Sequence, residues 1–321
     1  SSPSPLGSAQ SRRRAGVPPR LRRSRRTEAR TAYHPQVPIQ TSLTPRQLAV
    51  LAGWLPGYAV RRDLSWGLVD TTVWEIECGG ERFVVKAAGP DDHHLAREVQ
   101  AHREWIGPWV TAGRAPELVH ADAEVKIIVT RYLDGDLVLG HDAARDPEAY
   151  RQAGELLAQL HSGGTGAIDA DVEQRANEHT LAWLAKPHRI EPRLAERLGR
   201  VISRWPTPPV PLVPTHGDYQ PRNWLIHDGQ VRVIDFGRAA LRPAMTDFVR
   251  MAGREFHGEP AQEAAFLAGY GSDPREPDAW LRWRVREAVG TAVWAYQVGD
   301  TEFEAHGIRL LAELESQLGT D

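Results

Sequence analysis

The run Thr215-His216-Gly217-Asp218-Tyr219-Gln220-Pro221-Arg222-Asn223, followed by Val233-Ile234-Asp235-Phe236-Gly237, constrains this chain more than any other segment. It sets one aspartate, an asparagine five residues on, and a second aspartate twelve beyond that, just before Phe-Gly. Phosphoryl transfer from a nucleotide uses this inventory: one carboxylate accepts the proton of an attacking hydroxyl, while an amide oxygen and a second carboxylate hold magnesium on the phosphates. Either half alone is a weak signal; the two in order and at this spacing are specific. Trp224-Leu225-Ile226, then Asp228-Gly229, then Val231 and Val233 predict a hairpin with a tight Asp-Gly turn. Such a hairpin brings Asn223 and Asp235 to neighbouring strand ends.

A site of this kind also needs a cation for the phosphates and a carboxylate to aim it. Glu81 to Lys86 reads as a strand ending in lysine. The chain holds 36 arginines and three lysines, at 86, 126 and 186. A compact ammonium on a thin stem suits a narrow phosphate slot better than a guanidinium fork. Glu98 follows within a segment of helical composition, with Asp91 and Asp92 available as caps. Glu98 is the leading partner for Lys86, and Glu104, on another helix face, is the alternative. Val73 to Ile76 alternates as a strand and Cys78-Gly79-Gly80-Glu81 marks the turn into the lysine strand. The preceding loop, residues 65–72, can cover phosphates with backbone N–H groups and hydroxyls, with Ser65, Gly67 and Thr71 as candidates. It has one glycine and would not be read as a nucleotide loop on its own.

Taken together, His216-Gly217-Asp218 through Asn223, with Asp235, Lys86, Glu98 and the stretch Ile127 to Gly135 in order, resembles the aminoglycoside phosphotransferase and choline-kinase-like family over about residues 45–315. The resemblance implies an α+β, two-lobed protein-kinase-like fold: a small N-terminal lobe with an antiparallel sheet and one main helix, and a larger, mostly helical C-terminal lobe. It implies Asp218 as catalytic base, Asn223 and Asp235 as magnesium ligands, and Lys86 on the phosphates, paired with Glu98. Backbone groups of Arg131 and Leu133 would meet the purine of ATP or GTP. Gln220, two residues after the aspartate where protein kinases carry lysine, joins the nucleotide-side set. Together with the absence of an Ala-Pro-Glu motif after Asp235, it argues for a small-molecule acceptor. Asp247 resembles the family's later structural aspartate. The acceptor is expected to be a hydroxylated, cationic antibiotic or other natural product, bound against the helices after Asp247. A metabolite such as an amino alcohol or sugar, or nucleotide binding without turnover, is the alternative.

Residues 1–40 carry nine arginines and one acid and few large apolar side chains, so an Arg-rich disordered extension is expected there. An inert extension, an electrostatic arm and an organelle-targeting segment are all compatible with that composition; an apolar secretory core is lacking. The remaining residues carry 30 basic and 41 acidic side chains, about −11, which favours cationic partners and disfavours nucleic acid. The expected division is a nucleotide lobe at 41–133 and a catalytic and acceptor lobe at 134–321. One cysteine, Cys78, excludes an internal disulfide and fits a reducing cytoplasm. No run is long and apolar enough to span a membrane.

Local signals place further elements. Thr44-Pro45-Arg46-Gln47 reads as a capping box opening a short helix with Leu48, Leu51 and Leu55. Asp146-Pro147 opens another, with Ala149, Ala153, Leu156, Leu157 and Leu160 on one face. Helices are expected at about 190–204 and from Pro277 to Tyr296, the tryptophans of the latter packing in the core. Acids at 255–263 and 300–304 are candidates to face the acceptor.

Overall fold

The computed structural model describes residues 43–65, 71–164 and 166–318. The chain divides into a unit at 1–39 and a unit at 40–321. Gly67 and the arginine-rich extension lie outside the described residues.

Helix α1 (Pro45–Trp54) opens with the expected box: Thr44 Oγ1 accepts the Gln47 N–H at 3.2 Å, and the Gln47 side chain accepts the Thr44 N–H at 2.9 Å. The amide of Gln47 then donates to the carbonyls of Ala88 and Val125, both at 3.0 Å, which pins the helix to the sheet beneath it. Leu51 is buried, but Leu48 is partly exposed, so the buried face is narrower than its leucines suggest. The sheet comprises β1 (Ala59–Asp63), β2 (Thr71–Cys78), β3 (Glu81–Ala88), β4 (Leu118–Asp122) and β5 (Ile127–Arg131) in the order β1-β2-β3-β5-β4, every neighbour antiparallel. The β2–β3 turn uses Gly79 and Gly80 at φ 61° and 83°, a region open to glycine at little cost. Leu43, Leu51, Ile76, Phe83, Val85, Ile127 and Val129 form the core between α1 and the sheet. Helix α2 (His94–Glu104) lies against β4 and β5, followed by the short α3 (Gly107–Thr111). Asp92, rather than Asp91, meets the first turn of α2, accepting the Leu95 N–H at 2.9 Å.

After the two-residue β6 (Asp136–Leu137), the chain is mainly helical. Asp146 caps α4 (Pro147–Ser162), whose face Ala149, Ala153, Leu156, Leu157 and Leu160 is buried as its period requires. Next come β7 (Ile168–Asp169), α5 (Val172–Leu184), α6 (Pro192–Ile202), β8 (Val210–Pro211) and β9 (Val213–Thr215). The hairpin β10 (Trp224–His227)–β11 (Gln230–Val233) forms as expected around Asp228 and Gly229, and β12 (Ala240–Arg242) pairs with β9. Then follow α7 (Val249–Gly253), α8 (Pro260–Tyr270), α9 (Pro277–Val298) and α10 (Thr301–Leu314). Helices α4 and α8 touch backbone to backbone: a Cβ on Gly154 would sit 2.1 Å from the Phe266 carbonyl oxygen. Helix α5 has no clear apolar stripe. It is held through Glu173, buried, which accepts from Arg282 Nε at 3.2 Å, Arg286 at 2.8 Å and Trp283 Nε1 at 2.9 Å on α9. Trp283 is thus a packing residue.

Candidate active site

The loop that carries His216, Asp218 and Asn223 runs from β9 to β10 and is shaped by backbone constraints. Gly217 has φ 78°, and a Cβ there would lie 2.2 Å from the Arg238 carbonyl oxygen, so only glycine fits. Asp247, 2% exposed, accepts the N–H groups of His216 at 2.8 Å and Gly217 at 2.6 Å. His161 on α4 donates to the same carboxylate at 3.2 Å. These contacts hold Asp247 below the usual carboxylate range although burial pushes the other way. The ring of His216 donates from Nε2 to the Ile234 carbonyl at 3.1 Å and packs against Phe236, tying the loop to the Asp235-Phe236-Gly237 turn. Asn223 donates its amide to the Asp218 carbonyl at 2.8 Å, closing the loop on itself. Its backbone carbonyl accepts the Ile234 N–H at 3.0 Å, so the hairpin does bring Asn223 beside Asp235.

On the other side, Lys86 Nζ meets Glu98 Oε1 at 2.7 Å and Asp235 Oδ1 at 3.0 Å. The helix position of Glu98 puts it behind the lysine, whereas Glu104 accepts from Gln100 at the helix end. Burial would lower the Lys86 pKa, but Asp235 and Glu98 outweigh it and raise it. Lys86 in turn holds Asp235 below its ordinary value. The Asp235 backbone has φ 68°, a conformation unusual outside glycine, which turns its carboxylate into the opening; the side chain is half exposed. Gly237 follows, with its carbonyl accepting from His94 Nδ1 at 2.9 Å. His94, the first residue of α2, thus ties that helix to the Gly237 turn, with the His93 ring against its own, and no group of three His, Cys, Asp or Glu suited to a metal occurs among the described residues.

Two ligands are nevertheless what magnesium takes when nucleotide phosphates and water complete its shell. Both amide hydrogens of Asn223 point to Asp218, leaving Oδ1 for a cation, and Asp235 presents its carboxylate beside it. The residues present fit the ion.

Asp218 itself is 3% exposed and surrounded by donors. The Gln220 amide donates to Oδ1, and Arg250 donates to the same oxygen at 2.5 Å; Arg222 donates to Oδ2 at 2.5 Å, and Asn223 at 3.1 Å. Burial opposes ionisation, yet Arg250 and Arg222 keep this carboxyl far below the usual range. Gln220 is thus placed on Asp218. The loop at 65–72 is described only at its ends: Ser65 Oγ accepts the Val73 N–H at 2.9 Å, and Thr71 starts β2 opposite Ala88. The Arg131 N–H is bound to the Glu117 carbonyl at 2.9 Å, and Arg131 pairs with Phe83 at the end of β5, with Leu133 two residues on.

Near Pro221 a hollow of about 320 Å³ is lined by Tyr150, Arg254, Glu255, Glu259 and Gln262 among others. Burial pushes the Glu255 carboxyl up to about 7. The acids at 300–304 are not part of it: Asp300 caps α10, and Glu304 is buried against Arg189 at 3.0 Å. Glu263 is bound to Arg275 at 2.5 Å. Arg250 and its second partner Glu287, 2.7 Å away on α9, carried no signal in the sequence; Arg222 stood inside the motif without a role.

The family described as "Phosphotransferase enzyme family" matches residues 61–284 of this chain. The chain belongs to the phosphotransferase enzyme family. Its reaction class is phosphoryl transfer to a hydroxyl group, and its fold is the α+β, two-lobed arrangement expected. Among solved structures, a thermostable mutant of aminoglycoside phosphotransferase APH(4)-Ia, in ternary complex with AMP-PNP and hygromycin B, superposes with a TM-score of 0.65 at 14% identity, covering 85% of this chain and 99% of that one. The gentamicin complex of APH(2")-IIa gives 0.57 at 16% identity over 84% and 96%. Macrolide 2'-phosphotransferase MphH from Brachybacterium faecium gives 0.51 at 18% identity over 82% and 96%. At these identities the likeness speaks for the fold. No curated protein sequence matches this phosphotransferase.

Proposed function

We propose that this phosphotransferase transfers the γ-phosphoryl of ATP or GTP to a hydroxyl of an antibiotic or other natural product, with magnesium, using Asp218 as base. The observation that carries the proposal is the continuous chain Glu98–Lys86–Asp235 on one wall and Asn223–Asp218 on the other, joined through the Asn223–Ile234 backbone bond. Glu98 aims the Lys86 ammonium at the phosphates. Asn223 and Asp235 hold magnesium, which neutralises phosphate charge when bound. The carbonyl of Arg131 and the backbone of Leu133 receive the purine; Ser65, Gly67 and Thr71 belong to the loop over the phosphates. The lobes divide near residue 133. Asp218 takes the hydroxyl proton as that oxygen attacks phosphorus. The nucleoside diphosphate leaves.

The acceptor is hydroxylated and carries a cation at a distance from the reacting hydroxyl. Arginines 222, 238 and 250 act on Asp218 and would repel a cation beside it. Glu255 and Glu259 lie in the hollow beyond Pro221, and the body's charge of about −11 steers cations inward. Hygromycin B and gentamicin in the solved complexes support an antibiotic acceptor. The single Cys78 thiol is compatible with the cytoplasm, and no helix among the described residues is long and apolar enough to cross a membrane.

A panel of aminoglycosides, macrolides, nucleoside and peptide antibiotics, choline and neutral sugars, assayed with labelled ATP and GTP, tests the proposal. Phosphorylation of a cationic antibiotic is expected. Phosphorylation of amino alcohols or sugars alone assigns a metabolite kinase, and nucleotide binding without transfer to any of them refutes the antibiotic assignment.

A further inference from the structure

A carboxylate offers about four lone-pair directions, and on Asp218 all four are taken. Gln220 and Arg250 fill those of Oδ1; Arg222 and Asn223 fill those of Oδ2. A hydroxyl must reach one of these oxygens within roughly 2.6–3.2 Å to give up its proton. One donor must therefore leave first.

Three of the four are poorly placed to go. Gln220 and Asn223 are buried and sit on the same loop as the base, and Asn223 also holds the Asp218 carbonyl at 2.8 Å. Arg222 lies in the same 3-10 turn, Pro221–Asn223. Arg250 differs. It arrives from α7, outside the loop that carries Asp218, and its Nε already donates to Glu287 on α9 at 2.7 Å. A guanidinium that leaves Asp218 while keeping Glu287 strands no buried charge, whereas loss of its only partner would be costly.

We infer that Arg250 occupies the seat of the acceptor hydroxyl, and that an acceptor displaces it from Asp218 while Glu287 retains the guanidinium. The inference rests on Asp218 being the base, as proposed above. Arg250 is then a specificity-determining residue that separates an acceptor from water. An acceptor brings contacts elsewhere in the site that offset the displacement; water brings none. In the absence of acceptor the base is shut. When Arg250 is gone, water donates its proton to Asp218, its oxygen bonds to the γ-phosphorus, the bond from that phosphorus to the β,γ-bridging oxygen breaks, and inorganic phosphate and the nucleoside diphosphate leave.

The test needs no knowledge of the acceptor. The full chain is incubated with magnesium and labelled ATP, and in parallel GTP; released phosphate and nucleotide affinity are both measured. Arg250→Met keeps side-chain length and removes the donors. Minor protein states are commonly populated at about 0.1–10%, so removing the block should raise acceptor-free hydrolysis about 10- to 1,000-fold. Glu287→Gln should act in the opposite sense, because Arg250 is then left to Asp218 alone, and this arm decides if Arg250→Met does not fold. Adding Asp218→Asn to Arg250→Met should abolish the gain. A purely structural Arg250 would give loss in place of gain. The inference is overturned if Arg250→Met binds magnesium-nucleotide as wild type does but hydrolyses no faster, if the gain survives Asp218→Asn, or if Glu287→Gln raises hydrolysis. If wild type and variants alike bind no nucleotide, the kinase proposal fails and takes this inference with it.

Discussion

Asp247 offers the sharpest test of how the catalytic loop is held. Its carboxylate spans two consecutive backbone N–H groups, of His216 at 2.8 Å and Gly217 at 2.6 Å, and receives His161 as well. Asp247→Ala leaves both backbone donors without a partner in a site that is 2% exposed. Each orphaned buried donor costs about 1–3 kcal/mol, so the pair costs roughly 2–6 kcal/mol. For a domain of this size a kilocalorie corresponds to about 2–4 °C, and a fall in Tm on the order of 5–20 °C is expected. Asp247→Asn keeps one acceptor oxygen but turns an amide donor toward the second N–H, so it should fall between. Catalysis should suffer beyond stability, since a displacement of Asp218 by about 1 Å costs on the order of 100-fold. The pH dependence has a defined sign. The folded-state pKa of Asp247 is depressed. Its contribution is therefore complete above the unfolded value near 4 and is lost as pH falls through the depressed value. The Asn variant should flatten that acid limb. Scanning calorimetry from pH 3 to 8, with turnover measured below each melting point, checks all of this. A Tm within 2 °C of wild type for Asp247→Ala, on the order of experimental scatter against the fall reckoned above, would refute the reasoning.

Asp218→Asn should lower turnover about 100- to 10,000-fold with nucleotide affinity nearly intact, and retention of most of the turnover number would remove it as base. Asp235→Ala should shift the magnesium dependence further than Asn223→Ala, because a carboxylate neutralises the ion and an amide only lends a lone pair; titrating magnesium against rate distinguishes them, and a reversed order counts against the ligand assignment. Glu255, pushed up to about 7 by burial, should bind a cationic acceptor only when ionised. The acceptor KM should then rise as pH falls below about 7, the profile should lose that limb in Glu255→Gln, and an unchanged profile would place the cation elsewhere.

Features governed by neighbours in the chain were legible from residues alone. The Thr44–Gln47 box, the Asp146 cap, the Gly79–Gly80 and Asp228–Gly229 turns and the buried face of α4 all formed as read. Each depends on hydrogen bonds or side-chain periods spanning four residues or fewer, which sequence spacing specifies directly. Helix α5 escaped notice because what holds it is a buried carboxylate meeting α9 more than a hundred residues away, as the Glu173–Arg282 bond does, and not an apolar stripe of its own. The acids at 300–304 looked like acceptor ligands by composition, yet one is a cap and another a buried ion-pair partner.

The site divides the same way. Sequence alone determined the chemical inventory: two aspartates with an asparagine between them, and a rare lysine on a strand, in an order specific enough to name the family. Tertiary structure decided the pairing of charges. Lys86 meets Glu98 and Asp235 at once, and Asp218 is closed by Arg250, which Glu287 holds from a third element. Thirty-six arginines make any one of them an uninformative letter. A charge's partner depends on distance and desolvation in three dimensions, and those are set only when α7 and α9 pack around the catalytic loop.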